Sequence, residues 1–373
     1  MKKKVALLGA TGSIGKSALD VLRDKSNQFE LVLLTANKKA GELTKLKNEF
    51  PNAVTVLTNN NHQGLMEAIE NAGADISING ISGAAGLESS LAVIKAGSDL
   101  ALANKESIVM AGELLFSLAR EKNVSVIPID SEHMALYKLI NAHGRENTRE
   151  IILTASGGPF RNFSKEELEK VSPEEALAHP TWNMGLKITI DSASLANKGL
   201  EVIEAARYFD FPPDKIKVVV HPQSIVHSMI RLHDGAVYAQ MSKPDMRLAI
   251  HEALTWPKTE HSPFGILDFD LLHLSFEKPD MEKFPMLRLA YEALNGNAFL
   301  PAAYNAANET AVQAFFENRI GFLDISRIVG YVLRKIASSG TTIPDIETVL
   351  KWDRKARELA EEFIRSGVIN ADH

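Results

Sequence analysis

The segment Gly9-Ala10-Thr11-Gly12-Ser13-Ile14-Gly15 constrains this chain more than any other. Its three glycines follow directly on the apolar run Val5-Ala6-Leu7-Leu8 and lead into a helical stretch, Ser17 to Arg23. A strand that ends in such a turn and restarts as a helix is the opening unit of a Rossmann-like fold. Gly9 permits the tight turn, Gly12 lets a pyrophosphate approach the backbone, and Gly15 lets the helix pack closely on the sheet. The free N–H groups at the helix start then face phosphate oxygens. The spacing is G-x-x-G-x-x-G rather than G-x-G-x-x-G, so a glycine-rich turn in a nucleotide-free α/β fold is the competing reading.

More short apolar runs follow at Leu31 to Thr35, Val54 to Leu57, Ile76 to Ile78, Leu100 to Leu102 and Val124 to Ile129, with helical stretches between most of them. That alternation describes a parallel sheet wound with helices. With 373 residues the chain exceeds ordinary single-domain size, so several domains are expected. The predicted fold is α/β with an N-terminal Rossmann-like NADP-binding domain (1–129), a central α+β catalytic domain (130–257), a proline-containing linker (258–285) and a C-terminal helical domain (286–373).

Composition narrows the function. Apolar residues make up 45% and charged residues 24%, which is ordinary globular material. A net charge of −6 without any block of like charge gives no footprint for nucleic acid. The absence of cysteine removes disulfides, thiolate zinc sites and cysteine nucleophiles together. Met1-Lys2-Lys3-Lys4 followed by apolar residues imitates a signal peptide, but Gly9 cuts the apolar run too early. No window holds the roughly 18 apolar residues of a membrane span. A soluble cytoplasmic protein without membrane partners is expected.

NAD-binding proteins usually place an acidic residue at the end of the second strand for the ribose hydroxyls. Here the chain reads Asn37-Lys38-Lys39, whose lysines attract a 2′-phosphate, so NADPH is the expected cofactor. A solvated basic turn is the alternative. The strand Val124 to Ile129 ends in Asp130-Ser131-Glu132-His133. If extension continues, Asp130 and Glu132 project to one side and repel unless a cation sits between them. Carboxylate oxygens suit Mg²⁺ or Mn²⁺, with Co²⁺ a further candidate. A surface acidic pair is the bland explanation. Farther on, a strand-like run Ile188-Thr189-Ile190 leads to Ser192, Asn197 and Lys198, with Glu201 one helical turn beyond Lys198. Hydroxyl, amide and ammonium suit a phosphate monoester, and Glu201 could complete the metal shell; otherwise Lys198 and Glu201 are a simple i,i+3 ion pair.

The glycine turn, Leu102-Ala103-Asn104-Lys105-Glu106-Ser107, Asp130-Ser131-Glu132-His133, Thr154-Ala155-Ser156-Gly157-Gly158-Pro159-Phe160, His179-Pro180-Thr181-Trp182-Asn183-Met184-Gly185, Asp191-Ser192-Ala193-Ser194 with Asn197-Lys198-Gly199-Leu200-Glu201, and His221-Pro222-Gln223-Ser224-Ile225-Val226-His227-Ser228-Met229 occur in this order. Together they resemble the 1-deoxy-D-xylulose 5-phosphate reductoisomerase family. The resemblance implies a homodimer whose central domain also carries the dimer contact. It implies rearrangement of 1-deoxy-D-xylulose 5-phosphate and reduction by NADPH to 2-C-methyl-D-erythritol 4-phosphate, in non-mevalonate isoprenoid precursor biosynthesis. It further implies that Thr11, Gly12, Ser13, Ile14, Asn104, Glu106 and Gly185 contact NADPH, and that Lys105 and Ser131 hold the substrate backbone. Asp130, Glu132 and Glu201 would bind the metal, and Ser156, Ser192, Asn197 and Lys198 the phosphate, with His179 also on the substrate. Lys105 would assist electrostatically or as a proton donor. Trp182 and Met184 would belong to a loop closing over the sugar. The family often has Gly-Lys-Asn where this chain has Asn37-Lys38-Lys39, so the 2′-phosphate contacts differ in detail.

His133 and His227 are each proton-carrier or scaffold candidates, and His221 is read as structural. Two other functions share parts of this pattern: another NADPH-dependent dehydrogenase of a phosphorylated carbonyl substrate, and a non-catalytic NADP-sensing protein.

Overall fold

The computed structural model describes residues 1–176, 185–270, 272–338 and 345–366. In chain order the elements are β1 (Lys3–Leu8), α1 (Ser13–Asp24), β2 (Phe29–Ala36), α2 (Ala40–Glu49), β3 (Val54–Leu57), α3 (His62–Asn71), β4 (Ile76–Asn79), α4 (Gly86–Lys95), β5 (Asp99–Leu102), α5 (Lys105–Lys122), β6 (Val126–Pro128) and α6 (Ser131–His143). They continue with β7 (Thr148–Ala155), α7 (Lys165–Leu168), α8 (Pro173–Ala176), α9 (Leu186–Ala193), α10 (Ala196–Phe209), β8 (Ile216–Val220), β9 (Val226–Leu232), β10 (Val237–Met241) and α11 (Met246–Thr255). Helices α12 (Met286–Asn295), α13 (Leu300–Phe316), α14 (Asp324–Ile336) and α15 (Ile346–Arg365) complete the chain.

By compactness the chain divides into two units. The first comprises Met1–Ile108, Glu113–Lys138 and Ser242–Asp268, and the second comprises Val109–Gly112, Leu139–Met241 and the described residues from Phe269 onward. This grouping follows packing rather than the sequence boundaries at 129, 257 and 285. Ala249, Ile250, Ala253 and Leu254 of α11 lie in one core with Ala18, Leu19 and Leu22 of α1. Burying each of the larger side chains contributes about 1.5–3 kcal/mol, enough to draw a segment more than a hundred residues downstream back onto the first unit.

The first unit is built on six parallel strands in the order β3-β2-β1-β4-β5-β6. The order reverses between β1 and β4, which opens a crevice at the carboxyl edge. Val5, Leu7, Ile76 and Ile78 are fully buried because helices cover both faces of a parallel sheet, and this is why those strands read as unbroken apolar runs.

The second unit holds a four-stranded mixed sheet, β10-β9-β7-β8, in which only β7 and β8 run parallel. Its helices α9, α10 and α12 to α15 have α13 as their most buried member, with Tyr304 and Phe315 almost wholly enclosed. Arg357 of α15 bridges Asp353 (2.8 Å) and Glu309 of α13 (2.7 Å). Among the described residues no helix is long and apolar enough to cross a membrane.

Candidate active site

At the carboxyl end of β1, Gly9 adopts φ +85°, where a Cβ would be strained. Its N–H donates to Thr35 Oγ1 (3.0 Å) and that of Ala10 to Thr35 O (2.8 Å), which ties the turn to β2. A Cβ on Gly15 would lie 2.4 Å from Gly9 O, so α1 can sit this close only with glycine there. On Gly12 a Cβ would meet nothing nearer among the described residues than Gly9 O at 3.4 Å, which leaves the outer side of the turn open to them. Gly12 and Ser13 are exposed, Thr11 and Ile14 are not, and the first turn of α1 has no acidic residue. The positive end of the helix therefore faces an open glycine turn, the chemistry that suits a pyrophosphate.

Asn37, Lys38 and Lys39 are exposed just beyond β2, and Lys39 forms a solvent-accessible ion pair with Glu42 (3.0 Å). Asn104, by contrast, is held rigidly. It caps α5 by accepting from Ser107 N–H (3.0 Å), and its amide donates to Gly83 O (2.8 Å) and Glu106 Oε2 (2.9 Å).

Lys105 opens α5 and is only 4% exposed, with Nζ 2.7 Å from Asp130 Oδ2. The other oxygen, Asp130 Oδ1, accepts the N–H groups of Glu132 (3.1 Å) and His133 (3.3 Å) and lies 3.0 Å from His133 Nδ1. One carboxylate thus caps α6 and anchors two cationic or polar side chains. The expected strand alternation does not place Glu132. Because Asp130 nucleates a helix at Ser131, Glu132 lies in the first turn of α6, where Ser131 Oγ donates to its carboxylate.

In the second unit Ser156 leads into Gly157 and Gly158, both at positive φ, and Ser156 Oγ accepts from Gly158 N–H (3.2 Å). A Cβ on Gly158 would lie 2.7 Å from Ser192 O, so this turn rests directly on the end of α9 and brings the Ser156 loop beside Ser192. The run Ile188-Thr189-Ile190, read from sequence as strand-like, is helical. Gly185 provides the extended N-cap, Thr189 Oγ1 donates back to Gly185 O (3.0 Å), and Ile190 and Ala193 are buried on one face. Tertiary burial here overrides the β preference of branched side chains.

Only Ser194 and Leu195 separate α9 from α10, and Leu195 turns the chain at φ +62°. On α10, Asn197 Nδ2 is 2.5 Å from Glu201 Oε1 and Lys198 Nζ pairs with Glu201 Oε2. Lys198 is 3% and Glu201 1% exposed. Taking ions this far out of water is costly, so the pair is weak evidence of stabilisation. Hard oxygen donors of this type fit a divalent cation.

His179, Trp182 and Met184 lie outside the described residues. His221 behaves as scaffold: Nδ1 donates to Ser275 O (2.9 Å) and Nε2 accepts from Ile225 and Val226 N–H (3.1 and 3.2 Å). His133 is fully buried against Asp130, and His227 is buried in β9. Sequence reasoning gave Asp191 no role beyond its motif and passed over Asn308; both are fully buried and joined by Asn308 Nδ2 to Asp191 Oδ1 (2.7 Å). The available signal was an asparagine pair, Asn305 and Asn308, inside an otherwise alanine-rich apolar helix.

The strand order, the switch point and the open glycine turn define an α/β protein of the dinucleotide-binding class. Family models identify it further. The model described as 1-deoxy-D-xylulose 5-phosphate reductoisomerase matches residues 5–63 and 58–112, and two models of that enzyme's C-terminal domain match 126–209 and 241–359. The chain is 47% identical over 370 residues to the 1-deoxy-D-xylulose 5-phosphate reductoisomerase of Treponema denticola, covering 96% of each protein. With that of Chlorobaculum tepidum it shares 46% over 382 residues, covering 97% of this chain and all of the other. The Zymomonas mobilis enzyme solved with NADPH superposes with TM-score 0.87 at 40% identity, covering 98% of this chain and 100% of that one. A reductoisomerase solved with NADPH, fosmidomycin and magnesium gives 0.90 at 36%, covering 97% and 98%. The chain belongs to the 1-deoxy-D-xylulose 5-phosphate reductoisomerase family.

Proposed function

We propose that this protein converts 1-deoxy-D-xylulose 5-phosphate to 2-C-methyl-D-erythritol 4-phosphate with NADPH and a divalent cation, in isoprenoid precursor synthesis. The observation that carries the reading is the pairing of buried lysines with buried or half-buried carboxylates, Lys105 with Asp130 and Lys198 with Glu201, in a chain matched along nearly its whole length by one enzyme family. A non-catalytic NADP sensor has no use for such pairs.

In this reading Ser156, Ser192, Asn197 and Lys198 take the phosphate monoester, with His179 also on the substrate, and the phosphate-binding energy is spent on orienting carbons remote from it. Asp130, Glu132 and Glu201 would hold the cation, while Lys105 and Ser131 orient the sugar backbone. Thr11, Gly12, Ser13, Ile14, Asn104, Glu106 and Gly185 would contact NADPH, with Asn37, Lys38 and Lys39 toward its 2′-phosphate. When bound, the cation supplies Lewis-acid polarisation of neighbouring carbonyl and hydroxyl oxygens, and NADPH supplies the hydride. Lys105, paired with Asp130, would assist electrostatically or by giving a proton to a developing alkoxide.

The reading extends to a cytoplasmic homodimer using Mg²⁺ or Mn²⁺. The exposed apolar side chains Val237 and Tyr238 on edge strand β10 support a dimer contact there. The test is NADPH absorbance with 1-deoxy-D-xylulose 5-phosphate, with and without Mg²⁺ or Mn²⁺ after chelation. Metal-dependent oxidation of NADPH is expected; turnover that ignores the metal, or none at all, rejects the assignment.

A further inference from the structure

The C-terminal helices hold no residue assigned above to substrate or cofactor, yet they meet α9 and α10 at two telling places. Asp191 immediately precedes Ser192, is fully buried, and accepts a hydrogen bond from Asn308 of α13 (2.7 Å). Lys187, one turn earlier on α9, stands 2.9 Å from the other carboxylate oxygen as an ion pair outside hydrogen-bond geometry. Gly199 immediately follows Lys198, and a Cβ there would lie 2.5 Å from Tyr304 Oη of α13 and 2.9 Å from Ala290 Cβ of α12. The Tyr304 hydroxyl donates to Met286 O (3.1 Å), so it cannot swing away without losing that bond.

We infer that α13 acts as a positioning element for the phosphate pocket, with Asn308 and Asp191 setting the rotation of α9 and Tyr304 setting the depth of α10. The inference rests on the reading that Ser192, Asn197 and Lys198 hold the phosphate. Stability alone does not account for the arrangement. Among the described residues Asn305 Oδ1 and Asn308 Oδ1 are buried without a donor, and two well-packed apolar side chains would spare that penalty. What the polar pair adds is direction: one amide hydrogen aimed at one carboxylate oxygen admits a single rotation of α9 about its axis. The residue after Asp191 then presents its hydroxyl at a determined angle. A displacement of about 1 Å at a binding group costs up to about a hundredfold in rate, so a small loss of angle is visible kinetically.

The experiment compares the full-length parent with Asn308→Leu, which keeps the branched outline and heavy-atom count of the side chain but cannot donate, and with the exchanged pair Asp191→Asn/Asn308→Asp, which restores one hydrogen bond with reversed polarity. KM for 1-deoxy-D-xylulose 5-phosphate, KM for NADPH, kcat, inhibition by inorganic phosphate and the melting temperature are measured for each. Asn308→Leu should lower kcat/KM for the sugar phosphate and raise the phosphate inhibition constant together by about tenfold, with KM for NADPH within twofold. The exchanged pair should recover part of both losses. Unchanged phosphate constants alongside a lower melting temperature overturn the inference, since that is what a merely structural pair produces. An equal loss in NADPH affinity overturns it too. If Asn308→Leu does not fold, Asn308→Gln, which keeps the amide but shifts it by one methylene, is read by the same criteria. Calorimetric titration of inorganic phosphate into parent and variant separates the two failures. It tests α13 even if the parent does not turn over the sugar phosphate.

Discussion

Alanine at Gly15 and alanine at Gly12 should damage the protein in different ways, and the difference follows from distances on either side of one turn. At Gly15 the new Cβ falls about 1 Å short of ordinary contact with Gly9 O and is equally tight against Ala10. Overpacking of this kind costs about 1–3 kcal/mol, of which about 0.5–1 kcal/mol is returned because alanine is the better helix former. The first unit should therefore lose roughly 1–2 kcal/mol and melt a few degrees lower. Relief comes by moving α1 outward, which withdraws its first N–H groups from the phosphates. Losing one charge-assisted hydrogen bond of about 1.5–3 kcal/mol weakens NADPH binding roughly 10- to 100-fold. At Gly12 the Cβ stands clear of the protein, so stability should hold within about 0.5 kcal/mol while the methyl fills space a phosphate needs, giving a comparable affinity loss. Fluorescence titration of NADPH and a thermal melt on both variants decide the matter. NADPH binding by Gly15→Ala within twofold of the parent, or a melt lower for Gly12→Ala than for Gly15→Ala, would refute the reasoning.

Glu201→Gln should lower kcat by about a hundredfold or more and raise the Mg²⁺ needed for half-maximal rate, with the NADPH dissociation constant nearly unchanged; an equal drop in cofactor affinity would count against its role. Lys198→Ala leaves the Glu201 carboxylate, 1% exposed, without its ammonium, and should destabilise the second unit by about 3 kcal/mol in chemical denaturation; Lys198→Ala/Glu201→Ala should be milder than Lys198→Ala alone. His251, buried in α11 with Nε2 unpartnered among the described residues, has its pKa held below the ordinary 6.5 by burial and then by Lys25. The unfolded chain thus takes up the proton first, so stability present above about pH 6.5 is lost as pH falls toward the depressed folded value. Urea denaturation between pH 7.5 and about 5 should show that slope, and His251→Gln should flatten it; an unchanged slope would remove His251 as its source.

Much of the first unit was legible because a parallel sheet is buried on both faces and writes itself as apolar runs. Val5 to Leu8, Leu31 to Thr35 and Ile76 to Ile78 all fall within strands. The glycine turn was legible for the same reason, since backbone contacts at Gly15 leave no chemical alternative. Ile188-Thr189-Ile190 misled because branched residues prefer strands, and only the partners that bury Ile190 make them helical. Glu132 misled differently: a capping aspartate changed the period from two to 3.6 at the residue that mattered. Asn308 meets Asp191 across 117 positions of chain, a separation no local pattern encodes.

The return of Ser242–Asp268 to the first unit bears on how the protein is made. On a ribosome adding about 5–20 residues per second, α11 follows the end of the earlier first-unit segment by several seconds or more. Throughout that interval the face of α1 that α11 covers, with Leu19 and Leu22, stays open to water, and Lys3 lacks the Leu254 carbonyl it binds in the finished molecule. The nucleotide-binding half is thus left with an uncovered apolar face until α11 is made, so fragments ending before α11 should be less soluble than the whole chain.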